Sequence, residues 1–140
     1  MTVGYSSTPL IVKLGLREGF RARVVGAPDH YRALLGSLPS SVTFVEDDTT
    51  DLDFIHFFTT ERDELARQFP ALQSQLAERG MLWVSWPKKA AKIVTDLDEN
   101  IIRDIGLASG LVDVKVCAVD AHWSGLKFVR RVKNRTPPIG

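Results

Sequence analysis

Short apolar runs alternate along this chain with apolar positions spaced three or four apart, and glycine or proline separates them. Residues 21–27, with Val24 and Val25 central, read as a first strand, and residues 42–45 as a second, shorter one. The run Phe54-Ile55-His56-Phe57-Phe58 is apolar on both faces, the pattern of a central strand covered by helices on either side. Leu65, Phe69, Leu72 and Leu76 recur at four, three and four residues, which is one helical face. Pro70 lies inside this stripe and is expected to kink or split the helix. Gly80 is expected to end it, with a strand over residues 81–86 beginning at once.

Three further helices carry end signals. Thr8 supplies a hydroxyl cap, Pro9 the first helical position, Leu10, Ile11 and Leu14 one face, and Gly15 the close. Pro28-Asp29 breaks the first strand, and Asp29 can cap a short helix carrying Tyr31, Leu34 and Leu35 and ended by Gly36. Thr95-Asp96-Leu97-Asp98 fits a loose capping box before an apolar face of Leu97, Ile101, Ile105 and Ala108, with Gly110 as the C′ residue. The chain then closes with two strands. In the first, Val112, Val114 and Val116 alternate with Asp113, Lys115 and Cys117; residues 126–132 return after the turn 120–125.

Strands alternating with helices predict a mostly parallel sheet. The last two, joined by a short turn, must be antiparallel, because a parallel connection needs a longer crossover. The link between Val45 and Phe54 is too short for a crossover helix: about eight extended residues span at most roughly 28 Å, enough to pass one neighbouring strand. Residues 54–58 and 81–86 are expected to be adjacent parallel strands at the sheet centre. The reading gives an N-terminal segment with a short helix over residues 1–20, a single α/β domain over 21–135 and a flexible tail over 136–140.

Composition adds limits rather than chemistry. At 140 residues, 44% hydrophobic and 25% charged, the chain can bury one core without staples. A net charge of +1 gives no global argument for nucleic acid or an anionic membrane. One cysteine, Cys117, excludes an intrachain disulfide and a cysteine zinc cluster. No signal-peptide pattern and no bilayer-length apolar run is present, so a cytoplasmic location is expected.

Two resemblances follow from local motifs. Residues 79–85, Arg-Gly-Met-Leu-Trp-Val-Ser, and 110–114, Gly-Leu-Val-Asp-Val, resemble late elements of the class I methyltransferase-type Rossmann fold. The resemblance implies an α/β fold with a reduced methyltransferase-like Rossmann sheet, mostly parallel with a C-terminal antiparallel hairpin. It departs where that family binds S-adenosylmethionine. The family's first strand ends in an acid and a glycine-rich loop, whereas this chain has Val24-Val25-Gly26-Ala27-Pro28-Asp29. The helix and strand that family places between Val45 and Phe54 are absent, and Glu46 stands where it places a ribose-binding acid. More closely, residues 4–10 (GYSSTPL), 83–89 (WVSWPKK) and 113–120 with 123–127 (DVKVCAVD, WSGLK) resemble a family of short bacterial proteins of unknown function.

The candidate ligand-binding residues are Tyr5, Ser6, Gly26, Pro28, Trp86, Lys88, Lys89, Asp120, Trp123 and Ser124. Two tryptophans three apart cannot share one strand face. Trp86 is therefore expected to leave the strand pattern at the sheet mouth, where ligands bind in open α/β sheets. Lys88 and Lys89 beside it suit an anion or a stacked ring. The segment around Tyr5 and Ser6 could fold over that mouth as a lid or simply cap the domain. Adjacent Asp120, His122 and Ser124 do not form a catalytic relay, and Asp120 suits a turn role. His56 reads as a satisfied core histidine and Cys117 as a small hydrophobe. The acidic residues Glu46, Asp47, Asp48 and Asp51 lack the glycine and distal glutamate of a calcium loop. Lys127, Arg130, Arg131, Lys133 and Arg135 read as charge protecting an exposed edge strand.

These observations give no catalytic residue, no metal and no cofactor. The leading reading is a non-catalytic small-molecule-binding or interaction domain on a degenerate methyltransferase-like fold, its partner an unidentified small molecule or protein. The rivals are a divergent S-adenosylmethionine-dependent methyltransferase and, more weakly, a nucleic-acid-associated protein. Neither a membrane nor nucleic acid is the expected partner.

Overall fold

The computed structural model describes residues 8–132, so Tyr5, Ser6 and the tail over 136–140 lie outside the described residues. Strand β3 (Leu52–Phe58) is the hub. Parallel β1 (Arg21–Val25) flanks it on one side and parallel β4 (Leu76–Pro87) on the other. With β2 (Thr43–Phe44), β5 (Leu111–Ala118) and β6 (Trp123–Arg130), the sheet runs β2-β1-β3-β4-β6-β5. β2 is parallel to β1, and β6 is antiparallel to both β4 and β5. The expected central pair, the antiparallel closure and the helix-free passage from β2 past β1 to β3 are all present.

Each sheet face carries its own core. Helices α3 (Arg62–Gln75) and α4 (Glu99–Ala108) cover one, with Leu65, Phe69, Leu72 and Ile102 packed on Ile55, Phe57, Leu82 and Val84. Helices α1 (Leu10–Leu14) and α2 (Tyr31–Leu35) cover the other, with Leu14, Leu16, Tyr31 and Leu35 against Phe54, Phe58 and Trp83. The indole Nε1 of Trp83 donates to the Leu14 carbonyl at 2.8 Å, tying α1 to the middle of β4.

The double cover corrects the expectation for Trp86. The two tryptophans do face opposite ways, but neither leaves the strand, because helices bury both faces. Trp83 is 0% exposed in one core and Trp86 7% exposed in the other.

Other expectations shift. Pro70 lies inside a single unsplit α3, on its exposed side, while Leu65, Phe69 and Leu72 hold the helix to the sheet. The helix ends at Gln75, not Gly80, and β4 follows with no intervening loop, so Leu76 is a strand residue. The cap of α4 is Asp98, whose carboxylate accepts from the Ile101 N–H at 2.8 Å. Thr95 instead donates to the Thr60 carbonyl. The most buried residues of α4 are Ile102 and Gly106; the expected Leu97, Ile101 and Ile105 pack on the same core, and Ala108 is exposed. His30, not Asp29, is the N-cap of α2.

The basic residues of β6 do not guard an edge. β6 lies between β4 and β5, and β5 is the edge strand. Arg130 instead donates to the carbonyls of Gln73 and Leu76 at 3.0 and 2.8 Å, where α3 gives way to β4.

Gly106 lets α4 lie flat on β6. A Cβ there would meet Cε1 of Phe128 at 2.1 Å. Gly106→Ala is expected to destabilise by about 1–3 kcal/mol through overpacking, read as a lower urea midpoint with an unchanged slope.

Candidate binding cleft

After β1 the chain goes outward to β2, then returns past β1 to lay β3 on its other side. This reversal is the topological switch point, and ligands of open α/β sheets bind outside the strand C-termini there. Gly26 ends β1 at φ +72°, and a Cβ would lie 2.6 Å from the Phe58 carbonyl oxygen. Only glycine allows both that backbone conformation and that approach. The next residues, Ala27, Pro28 and Asp29, turn outward over the ends of β1 and β2.

There they line a cleft of about 230 Å³. Val24, Ala27, Pro28, Phe44 and Val45 make its apolar wall. Asp29, Arg32 and Glu46 supply charge at exposed positions, and the Arg32 guanidinium lies 4.3 Å over the Phe44 ring. An apolar cleft with a few convergent polar groups is the usual form of a small-molecule site.

Tyr31 joins this cleft to the sheet interior. Its hydroxyl is 2.8 Å from Nδ1 of His56, and Nε2 of His56 is 2.7 Å from Oγ of Ser85. The chain thus spans α2, β3 and β4. Burial pushes the Tyr31 phenol above its ordinary value and the His56 imidazole down to about 3. His56 is therefore neutral at physiological pH, and both ring nitrogens are bonded, as expected of a satisfied core histidine. Ser85 is fully buried, so this is a positioning chain and not a nucleophile with its base.

A second cluster sits over the ends of β3 and β4. The Asp120 carboxylate accepts from the backbone N–H of His122 and Trp123 at 2.8 and 2.9 Å, and lies 2.9 Å from Nε2 of His30. Burial pushes the Asp120 carboxyl up, but these hydrogen bonds outweigh it and its pKa falls below the ordinary value. Asp120 therefore organises the turn and pins the start of α2 to it. The Lys88 N–H donates to the His122 carbonyl at 2.9 Å, which joins the mouth of β4 to the same turn. Trp123 places its ring edge-on to Phe58 at 5.1 Å, and Phe58 stacks on His56 at 4.2 Å.

The candidate residues thus separate. Pro28 lines the cleft, and Gly26 shapes its approach. Lys88, Asp120 and Trp123 gather at the neighbouring mouth. Ser124 is paired in β6 opposite Trp86, which is core, and Lys89 is exposed in a 3-10 turn (Lys89–Ala91). Sequence reasoning did not single out Val24, Ala27, Tyr31, Arg32, Phe44 or Val45 as site residues. Nor did it pair Tyr31 with His56 and Ser85, which lie 25 and 29 residues from the histidine. The acidic loop after β2 is held from inside: Gln75 donates to the carbonyls of Asp47 and Thr49. No helix among the described residues is long and apolar enough to cross a membrane.

No protein-family model and no curated protein matches the chain. Solved structures do match its fold. A putative type 11 methyltransferase from Sulfolobus solfataricus aligns with a TM-score of 0.61 at 15% identity over 94% of each chain. A SAM-dependent methyltransferase from Aquifex aeolicus aligns at 0.58 and 16% identity, over 85% of this chain and 86% of its own. Magnesium protoporphyrin IX methyltransferase from Synechocystis, solved with bound SAH, aligns at 0.58 and 13% identity, over 87% and 78%. At such identity the likeness shows fold alone: this chain has a methyltransferase-like Rossmann fold, with a mostly parallel six-stranded sheet and antiparallel C-terminal strands.

Proposed function

We propose that the chain is a small-molecule-binding domain that does not catalyse methyl transfer, with its ligand in the cleft over β1 and β2. The carrying observation is the cleft itself: an apolar wall at the switch point, with Asp29, Arg32 and Glu46 at its rim. A volume of about 230 Å³ suits one ring system with a polar substituent. Glu46 is assigned to accept hydrogen bonds from the ligand, and Arg32 to meet an acceptor or a ring face. Trp86, Lys88, Lys89, Asp120, Trp123 and Ser124 take no direct part in this cleft, and Tyr5 and Ser6, outside the described residues, stay candidates from their sequence position alone. The three sequence motifs support membership of the short bacterial family they resemble, and a cytoplasmic setting goes with that reading.

A second reading, a divergent S-adenosylmethionine-dependent methyltransferase, is favoured by the shared fold of the solved neighbours. The residues do not fit that cofactor. Ala27 and Pro28 put side chains into the wall where close backbone approach needs glycine, and proline offers no N–H. The cleft also falls short of the roughly 300–1,000 Å³ usual for drug-sized ligands. Calorimetry with S-adenosylmethionine and S-adenosylhomocysteine is expected to show no micromolar binding, and such binding would select the methyltransferase reading. A thermal-shift screen of nucleosides and aromatic acids should find a stabilising ligand whose affinity falls about tenfold in Glu46→Gln. A ligand whose binding ignores Glu46 would place the site elsewhere.

A further inference from the structure

Lys115 and Lys127 are direct cross-strand partners in the β5–β6 ladder. Their side chains leave the same sheet face about 5 Å apart, and like charges so placed are destabilising. Lys115 lies on the edge strand β5, but Lys127 is on internal β6, where a charge protects no edge. Two more cations join them. The ammonium of Lys115 donates to the Lys13 carbonyl at 2.9 Å, which brings the end of α1 to the pair, and the charges of Lys13 and Lys115 both act on Cys117 of β5. Arg17 follows in the connection after α1 and acts electrostatically on Lys127. Lys127 also lies against that connection, its Nζ 3.9 Å from where a Cβ on Gly15 would stand. Among the described residues, none of these four cations forms an ion pair with a carboxylate.

Lys127 is the centre of the group. It is partly buried, and its neighbour across the other ladder is Trp83 in β4. Burial first, then Lys115 and Arg17, pull its pKa below the ordinary lysine value. A half-buried ammonium that faces other cations gains nothing from the fold in exchange for its desolvation. A bound anion would supply the missing charge and hydrogen-bond acceptors.

We infer that Lys13, Arg17, Lys115 and Lys127 form a binding site for a small phosphorylated ligand. Lysine ammoniums suit phosphate as point charges, and an arginine adds a bidentate fork. The four cations are carried to one sheet face by three separate parts of the fold: α1 with the connection after it, β5 and β6. A small multiply charged ligand fits that shape better than the extended backbone of a nucleic acid, which calls for a groove that tracks it. The site is independent of the cleft. β3 and β4 lie between β1 and β6, which sets the two about 14 Å apart across the sheet at the usual strand spacing.

The test uses inorganic phosphate and pyrophosphate as probes, with sodium chloride at matched ionic strength as the control. Pyrophosphate is expected to raise the melting temperature of the full chain beyond chloride. Lys127→Met keeps the aliphatic stem and removes the charge. It is expected to melt higher than the parent without ligand and to lose the pyrophosphate response, and Lys115→Gln to weaken pyrophosphate about tenfold by calorimetry. Equal responses to chloride and pyrophosphate would overturn the inference, as would a Lys127→Met protein that still responds to pyrophosphate. A single-stranded oligonucleotide that binds through Lys127 more tightly than pyrophosphate would overturn the small-ligand assignment in favour of nucleic acid.

Discussion

Trp86→Ala is expected to destabilise the fold by about 3–5 kcal/mol, the range for emptying a buried aromatic site. The indole packs on the α3 and α4 face of β4, in a core that includes Leu97 and Ile102. Its position next to Pro87 at the strand end does not lighten the effect, because only 7% of the residue is exposed. For a domain of this size the loss corresponds to a melting temperature lower by about 10–20 °C. Urea denaturation measures it directly. A loss below about 1 kcal/mol would mean that the indole is not packed and would return Trp86 to the rim of a site.

Acid is expected to weaken the protein well before its carboxylates titrate. Burial holds the His56 imidazole neutral, with its pKa lowered from 6.5 to about 3 in the folded state. Between these values the unfolded chain takes up a proton that the folded chain refuses, so stability rises with pH. The full contribution is present above about pH 6.5 and is lost as pH falls towards 3. One proton gives a slope of about 1.4 kcal/mol per pH unit, and the whole window is worth on the order of 5 kcal/mol. Asp47 and Asp120 have pKa values below the ordinary carboxylate value, so their contributions disappear only at lower pH. Stability measured between pH 4.5 and 6 therefore isolates the histidine. His56→Gln is expected to be weaker at neutral pH but to show a slope about one proton shallower in that window. Equal slopes in the two proteins would show that His56 takes up its proton without unfolding.

The architecture was legible where burial writes a pattern into the sequence. Residues 54–58 are apolar on both faces because helices cover both sides of β3. The antiparallel closure followed from the length of one turn. The same double cover misled the reading of Trp86: an aromatic residue at a strand end looks like a rim residue unless both faces are known to be covered. The α3–β4 junction was misplaced because Leu76 continues the helical spacing while already in the strand, and apolar spacing cannot tell the two apart at a boundary. The cleft was half legible. Gly26 and Pro28 carry local signals of a strand end and a turn. Arg32, Phe44 and Val45 carry none, since only the parallel pairing of β1 with β2 brings them together. The Tyr31–His56–Ser85 chain and the Lys115–Lys127 pairing likewise depend on strand register, which single-residue spacing does not encode.

The place of β6 has a consequence for how the protein is made. The last described strand is not added to the outside of a finished sheet; it joins β4 to β5 and carries Leu126 and Phe128 into the core. Until it emerges from the ribosome, β4 presents an open row of backbone groups beside Leu82, Val84 and Trp86. At about 5–20 residues per second, the roughly forty residues from the end of β4 to the end of β6 take seconds to synthesise. Completion of this sheet therefore waits for β6. Any nascent chain that stalls before β6 exposes the strand edge best suited to pairing with another chain.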